Sequence, residues 1–273
     1  MPDFHGARVG LLEARFSDDA ASMVRRLGGQ PINAPALREV PHRIPDLCTG
    51  FVGRLASAAR PVVVCMTGAG VRALFVQAGA EGCQPTLSGA LARATTVCRG
   101  PKPAGVLAAQ GLPVSVKAAE PFTTAELMAA MEPLDLHGRF VALLHYGETN
   151  EKLAGWLRAR GADLHELLPY EWQLPEDTAP VERLADEIIA GRVDAVAFTS
   201  QVQVRHLLAI AGPARLTALI AAMNGKAVVG AIGPTCSAAL EAAGVHPAVI
   251  ASPPKLGPLL AALADVLQDR SRA

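Results

Sequence analysis

The sequence predicts an α/β protein of two domains, each a parallel sheet covered by helices on both faces. Three observations predict it: a long internal repeat, short continuous apolar runs of buried-strand length, and amphipathic segments that alternate with those runs. Gly100-Pro101 recurs as Gly233-Pro234, an offset of 133 residues. The same offset carries Leu107 to Leu240, Gly111 to Gly244, Leu127 to Leu260, Val71-Arg72 to Val204-Arg205, Leu74 to Leu207, Arg25 to Arg158 and Gly28 to Gly161. One register held over about 110 positions reads as an internal duplication joined near Pro133.

In the first repeat, Arg8–Leu12 reads as a strand, and Asp18–Leu27 as a helix ended by Gly28-Gly29. Pro61–Met66 (PVVVCM) is a second, fully buried strand. Val71, Leu74, Phe75 and Ala78 then follow the i, i+3, i+4, i+7 pattern of a helix. A strand follows over Ala94–Cys98, a helix over Pro103–Gln110 closed by Gly111, and a last strand over Val114–Val116. Thr123, with Glu126 three residues on, is a capping box opening another helix. The second repeat gives strands at 140–144, 194–199, 227–232 and 248–251, and helices at 151–160, 202–211, 235–243 and 256–268. Unbroken apolar strands between amphipathic helices mean parallel sheets buried on both faces, hence two flavodoxin-like domains. Pro-rich stretches at 35–45 (PALREVPHRIP) and 169–180 (PYEWQLPEDTAP) stand at matched places in the two repeats, so the chain is expected to cross between domains twice.

Composition narrows the function classes. The chain has 273 residues, 51% hydrophobic and 18% charged, with mean hydropathy +0.28, which excludes a disordered chain. Lys plus Arg equals Asp plus Glu at 25 each, without the basic excess of a general nucleic-acid binder. No apolar run is expected to reach the ~18 to 20 residues of a membrane span, and the start MPDFHGARVG lacks a signal-peptide pattern. The expectation is a cytoplasmic monomer with neither nucleic-acid nor membrane partners. The five cysteines (Cys48, Cys65, Cys83, Cys98, Cys236) form no C-x-x-C and no His-containing metal spacing, so they are expected to be five reduced thiols, with Cys65, Cys98 and Cys236 as packing residues. No metal and no cofactor is expected.

Ligands of open parallel sheets bind beyond the carboxyl ends of the strands, where helix N-termini present N–H groups suited to anions. The loops to inspect are therefore Glu13–Arg15, Thr67–Gly70, Arg99–Lys102, Tyr146–Thr149, Thr199–Gln201 and Gly233–Thr235. Gly68-Ala-Gly70-Val-Arg-Ala73 fits a dinucleotide G-x-G-x-x-A, but no acidic residue follows at about 20 residues, and the equivalent loop from Ser200 has no glycine. Thr67, Thr199, Ser200 and Thr235 stand at strand-to-helix turns, where plain N-capping explains them as well as anion binding does.

The stretch Ala227–Gly244 (AVVGAIGPTCSAALEAAG) resembles the most recognisable motif of uroporphyrinogen-III synthases. Ala195–Ser200 (AVAFTS) resembles their second signature, Leu168-Pro-Tyr170 their linker tyrosine, and Arg15 an N-terminal arginine common in the family. The resemblance runs from about residue 6 to residue 268. It implies that residues 1–36 join 176–273 in one domain while 46–165 form the other, with 37–45 and 166–175 as linkers. It implies closure of hydroxymethylbilane, a linear tetrapyrrole, into uroporphyrinogen III with inversion of the last pyrrole ring. Loss of the substrate's hydroxyl gives a reactive azafulvene that cyclises unaided to the uninverted isomer. The enzyme's task is therefore positioning, so that ring D attacks through its substituted carbon. The residues this reading places at the site are Arg15, Thr67, Gly68, Gly100, Lys102, Thr199, Ser200, Gln201, Gly233, Pro234 and Thr235 as binders of the eight carboxylates. Tyr170 is placed as proton donor to the departing hydroxyl, facing the cleft; the alternative is a tyrosine that packs the linker beside Trp172. A phenol, titrating near ~10, is protonated at neutral pH and does not repel an acidic substrate. The alternative is a non-catalytic regulatory protein that binds tetrapyrroles on the same fold.

Overall fold

A computed structural model describes residues 2–272. The chain divides into two compact units. One is discontinuous, Met1–Arg38 with Gln173–Ala273; the other is continuous, Glu39–Trp172.

In the discontinuous unit, β1 (Arg8–Leu11), α1 (Ser17–Arg26) and β2 (Gln30–Asn33) precede the crossing, and α8 (Ala179–Ile189), β10 (Ala195–Phe198), α9 (Gln201–Gly225), β11 (Val228–Ala231), α10 (Pro234–Ala242), β12 (Val249–Ile250) and α11 (Leu256–Arg272) follow the return. Its sheet has the order β12-β11-β10-β1-β2, parallel throughout, with Val9 opposite Ala195. In chain order that is 2-1-3-4-5, the flavodoxin arrangement. Arg8 ties the N-terminal strand down: its N–H donates to Asp194 Oδ2 at 2.7 Å and its guanidinium to Glu187 Oε2 at 2.9 Å.

The continuous unit carries a wide helical turn over Leu47–Val52 running into α2 (Gly53–Ser57), then β4 (Val62–Cys65), α3 (Gly68–Ala80), α4 (Gln84–Arg93), β5 (Thr95–Cys98), α5 (Pro101–Ala109), β6 (Val116–Lys117), α6 (Thr124–Met131), β7 (Phe140–Leu144), α7 (Glu151–Ala159) and β8 (Asp163–Leu167). Its sheet, also all parallel, has the order β6-β5-β4-β7-β8. The bounds of β4, β5, α5 and β6 recur 133 residues later as those of β10, β11, α10 and β12. At the two crossings, β3 (Arg38–Pro41) and β9 (Tyr170–Gln173) form a two-stranded sheet.

Strand alternation sets the cores. Val196 and Phe198 of β10 enter one apolar cluster with Val181, Leu184 and Ile188 of α8, while Ala195 and Ala197 enter another under α1 and α11. Val63 and Cys65 of β4 likewise face α3 and α4, and Val62 and Val64 face α6 and α7. Every strand side chain of β4 and β10 is buried, which is why these runs read as continuous apolar segments. The capping box at Thr123 and Glu126 forms as its spacing predicts.

Two expectations are corrected. The cysteines are not five thiols: Cys48 and Cys83 form a disulfide, because the turn at Leu47–Val52 packs beside the start of α4 and brings the two Cα atoms to 5.7 Å. Cys65, Cys98 and Cys236 are free and buried. Nor is every helix too short or too polar for bilayer length. Gln201–Gly225 has a mean hydropathy of 1.5 over its most apolar 18 residues. Its backbone breaks at Gly212 (φ 72°, ψ 168°) just before Pro213, so it is two consecutive helices, and Val202, Val204, Leu207, Leu219 and Met223 are buried.

Candidate functional site

The strand order reverses between β1 and β10 in the first sheet (2-1-3-4-5) and between β4 and β7 in the second, which in chain order is 3-2-1-4-5, and each reversal puts a crevice at the carboxyl ends of those strands. The two crevices differ in chemistry.

In the continuous unit, β4 ends at Cys65 and Thr67 turns the chain into α3. Thr67 caps the helix, its Oγ1 accepting from the Gly70 N–H at 3.0 Å. The same oxygen lies 3.0 Å from the Tyr170 hydroxyl. Tyr170 is 4% exposed and packs edge-on to Trp172 with ring centroids 6.1 Å apart, the contact expected of a tyrosine that packs the linker. Trp172 in turn meets Tyr146 at 5.6 Å. Gly147 permits this approach. Its φ is +74°, a Cβ there would lie 2.6 Å from Trp172 Cδ2, and its carbonyl accepts the Trp172 N–H at 3.1 Å. Above Tyr146 sits Arg99, its guanidinium carbon 5.3 Å from the ring centroid. Burial holds the Arg99 pKa below the usual guanidinium range.

Tyr146 is held from beneath by a buried network. The Asn150 N–H donates to His145 Nδ1 at 3.1 Å, so the hydrogen sits on Nε2, which donates to Glu166 Oε2 at 2.9 Å. Glu166 also pairs with Arg158. The Asn150 side chain caps α7 and donates to Thr124 Oγ1 at 2.8 Å. The His145–Asn150 loop is therefore fixed from both ends.

The glycines that resemble a nucleotide fingerprint have a packing reason. A Cβ on Gly68 would lie 2.9 Å from the Lys102 carbonyl oxygen, and one on Gly70 3.3 Å from that of His145. They let the three strand-end loops close on one another. Gly100 caps α5, and Lys102 is exposed in its first turn.

The crevice of the discontinuous unit is occupied by its own side chains. The Thr199 N–H donates to Gln203 Oε1 at 2.7 Å, Gln203 Nε2 donates back to Thr199 Oγ1 at 2.8 Å, and the Thr199 hydroxyl donates to Glu13 Oε2 at 2.5 Å. Thr199 thus has neither proton to offer a ligand, and Glu13 adds a negative group. Ser200 caps α9, its Oγ accepting from the Gln203 N–H at 3.3 Å, and Gln201 opens that helix. Gly233 is the cap position of α10, whereas Pro234 and Thr235 stand exposed inside the first turn. Arg15 is exposed in the turn after β1. Pro234, Pro101 and Pro103 carry no N–H, so α10 and α5 present fewer donors than helix N-termini usually do. Cys236 is a packing residue: its thiol donates to the Phe198 carbonyl at 3.6 Å, and burial pushes it up to about 12.

Of the residues marked in the sequence, the structure brings Thr67, Gly68, Gly100, Lys102 and Tyr170 to one sheet end, and Arg15, Thr199, Ser200, Gln201, Gly233, Pro234 and Thr235 to the other. The loops marked in the sequence include Arg99, Tyr146 and Glu13, but none of these was singled out as a site residue, and Trp172 and Gln203 were not placed at the site. The signal for Arg99 was its place directly after the last residue of β5, against the sheet end, whereas Lys102 had already turned outward on a helix. Among the described residues, no three His, Cys, Asp or Glu side chains gather as a metal-binding group.

A family model for uroporphyrinogen-III synthase (HemD) matches residues 18–261. The chain is 28% identical to the uncharacterized protein YjjA of Bacillus subtilis, over 97% of both chains. It is 37% identical over 146 residues to a putative uroporphyrinogen-III synthase of Methanothermobacter thermautotrophicus, 54% of this chain and 56% of that one. A crystal structure of a mutant uroporphyrinogen III synthase from the extremely thermophilic bacterium Thermus thermophilus superposes with a TM-score of 0.76 at 29% identity, covering 97% of this chain and all of that one. The sequence match over most of the chain and the pair of five-stranded parallel sheets agree, and the chain belongs to the uroporphyrinogen-III synthase family.

Proposed function

We propose that this protein is an active cyclising lyase, converting hydroxymethylbilane to uroporphyrinogen III with ring D inverted. The observation that carries the reading is the Thr67–Tyr170 hydroxyl pair at the switch point of the continuous unit, bordered by an arginine and two further aromatic rings. A phenol held by a capping threonine is a neutral proton donor fixed in direction. It donates to the departing hydroxyl without repelling an eightfold acid. Flat aromatic faces at Tyr146 and Trp172 offer stacking area for pyrrole rings. The N–H groups of Gly68 and Ala69, which have no acceptor within α3, and the first turns of the other helices offer donors to carboxylates. The remaining work is conformational. The azafulvene is already reactive, so holding ring D against it in one orientation decides the isomer.

The test is the isomer composition of uroporphyrinogen formed from hydroxymethylbilane with and without the protein. An active synthase yields type III faster than spontaneous closure yields type I. A protein that binds the tetrapyrrole yet leaves type I as the product is the regulatory binder instead.

A further inference from the structure

Arg99 is the feature of the continuous unit that folding alone does not account for. It follows β5 directly, its N–H donates to the Cys65 carbonyl at 3.1 Å, and its side chain is half-buried over Tyr146. Among the described residues no carboxylate pairs with it. Three other arginines of the unit carry close carboxylate partners, Arg54 with Asp163, Arg158 with Glu166 and Arg160 with Glu132, and Arg139, also partly withdrawn from water, donates to the Arg60 and Asp135 carbonyls instead. A guanidinium withdrawn from water without a counter-charge destabilises the fold that holds it, and such groups persist where a ligand supplies the missing charge. The guanidinium fork matches a carboxylate in two parallel hydrogen bonds, which an ammonium cannot do. The Tyr146 ring beneath it is fixed by the His145–Asn150 network and by Trp172, and Trp172 touches Tyr170, so the cation stands in one rigid assembly with the proposed proton donor.

We propose that Arg99 is the principal carboxylate anchor of the site, gripping one acetate or propionate side chain of the tetrapyrrole through its guanidinium fork while that pyrrole ring lies along Tyr146 and Trp172. The proposal rests on the synthase reading and names the residue that selects an acidic tetrapyrrole within it. Binding brings the carboxylate to a cation that already lacks one, so no ion pair inside the protein has to break.

The experiment compares wild type with Arg99→Met, Arg99→Lys and, as a charge control, Arg60→Met, which removes an exposed cation ahead of β4, at the opposite end of the sheet. Binding is read by quenching of tryptophan fluorescence on titration with uroporphyrin III, the stable oxidised octacarboxylate, and turnover by type III formation. Arg99→Met should weaken uroporphyrin binding and raise KM by about 10- to 100-fold, the scale of one charge-assisted contact. Arg99→Lys should recover only part of this, and Arg60→Met should stay within about threefold of wild type, as an exposed charge at the opposite end of the sheet does. The melting temperature of Arg99→Met should equal or exceed that of wild type, because a half-buried charge without a carboxylate partner is lost. Unchanged binding and KM in Arg99→Met would overturn the proposal. So would a fall in kcat and melting temperature at constant KM, which marks a group that only supports the aromatic stack. Wild type that neither binds uroporphyrin nor forms type III overturns the synthase reading itself, an outcome distinct from an active wild type with an indifferent Arg99.

Discussion

Replacing Tyr170 by Phe removes one hydroxyl and keeps the ring against Trp172. The lost contact is the 3.0 Å bond to Thr67 Oγ1. A neutral hydrogen bond contributes about 0.5–1.5 kcal/mol net. Thr67 keeps its capping bond from Gly70, so no orphaned donor is left on the helix. Stability should therefore fall by about 1 kcal/mol. Trp156 and Trp172 both lie in the continuous unit, so tryptophan fluorescence during urea unfolding reads that unit alone. General acid assistance usually contributes about 10²–10⁴-fold, but this leaving group departs readily in water, so turnover to type III should drop by on the order of threefold to thirtyfold. Thr67→Val removes the cap as well and should lose about 1 kcal/mol more stability. If the two hydroxyls act as one device, the double variant loses no more turnover than the worse single one. Equal turnover in Tyr170→Phe and wild type would remove the proton-donor role. Multiplying losses in the double variant would show two independent groups.

Other substitutions test the packing that builds the site. Gly68→Ala forces a Cβ to 2.9 Å from the Lys102 carbonyl and should cost about 1–3 kcal/mol in urea unfolding. Gly105→Ala, in open space on α5, should stabilise by up to about 1 kcal/mol, and equal effects at the two sites would contradict the packing account. Cys48→Ser opens a loop whose ends are 35 residues apart and should lower the continuous unit's stability by about 2–4 kcal/mol, with a matching loss in wild type under reductant; no change in either would refute the staple. Arg192 and Arg8 hold Glu187 at about 2 against an unperturbed 4.5. The folded value lies below the unfolded one, so the stabilisation is present above pH 4.5 and lost as pH falls toward 2. The stability gap between wild type and Glu187→Gln should close over that window, and a gap independent of pH would exclude the pairing as its source.

The fold was legible where burial leaves a periodic mark. Val62–Cys65 and Ala195–Phe198 face apolar layers on both sides, so their residues carry no alternation and stand out as runs. The Thr123 capping box was legible because it is local. Helix α4 was not: its residues QPTLSGALAR are small and polar, and only Leu87, Ala90 and Leu91 pack inward. Helix α8 was not read either: it starts at the end of the Pro-rich stretch 169–180, although Val181, Leu184, Ala185 and Ile188 beyond it have helical spacing. The disulfide joins residues whose proximity depends on how the Leu47–Val52 turn packs, which no spacing encodes. At the site, Thr67 and Tyr170 were legible singly, yet their hydrogen bond spans 103 positions of sequence. Thr199 looked like Thr67 in sequence, and only the positions of Glu13 and Gln203 show its donors engaged within the fold.

The central claim is that the carboxyl end of the β4–β7 crevice receives the tetrapyrrole. Amide hydrogen exchange with and without uroporphyrin III tests it most directly, because protection appears where backbone opening is suppressed by the ligand. The account predicts added protection in residues 66–70, 99–104, 145–150 and 170–172, and no change in the loops at the opposite sheet end, 58–61 and 111–113. Protection confined to those opposite loops, or none in the four predicted segments at saturating ligand, would contradict it.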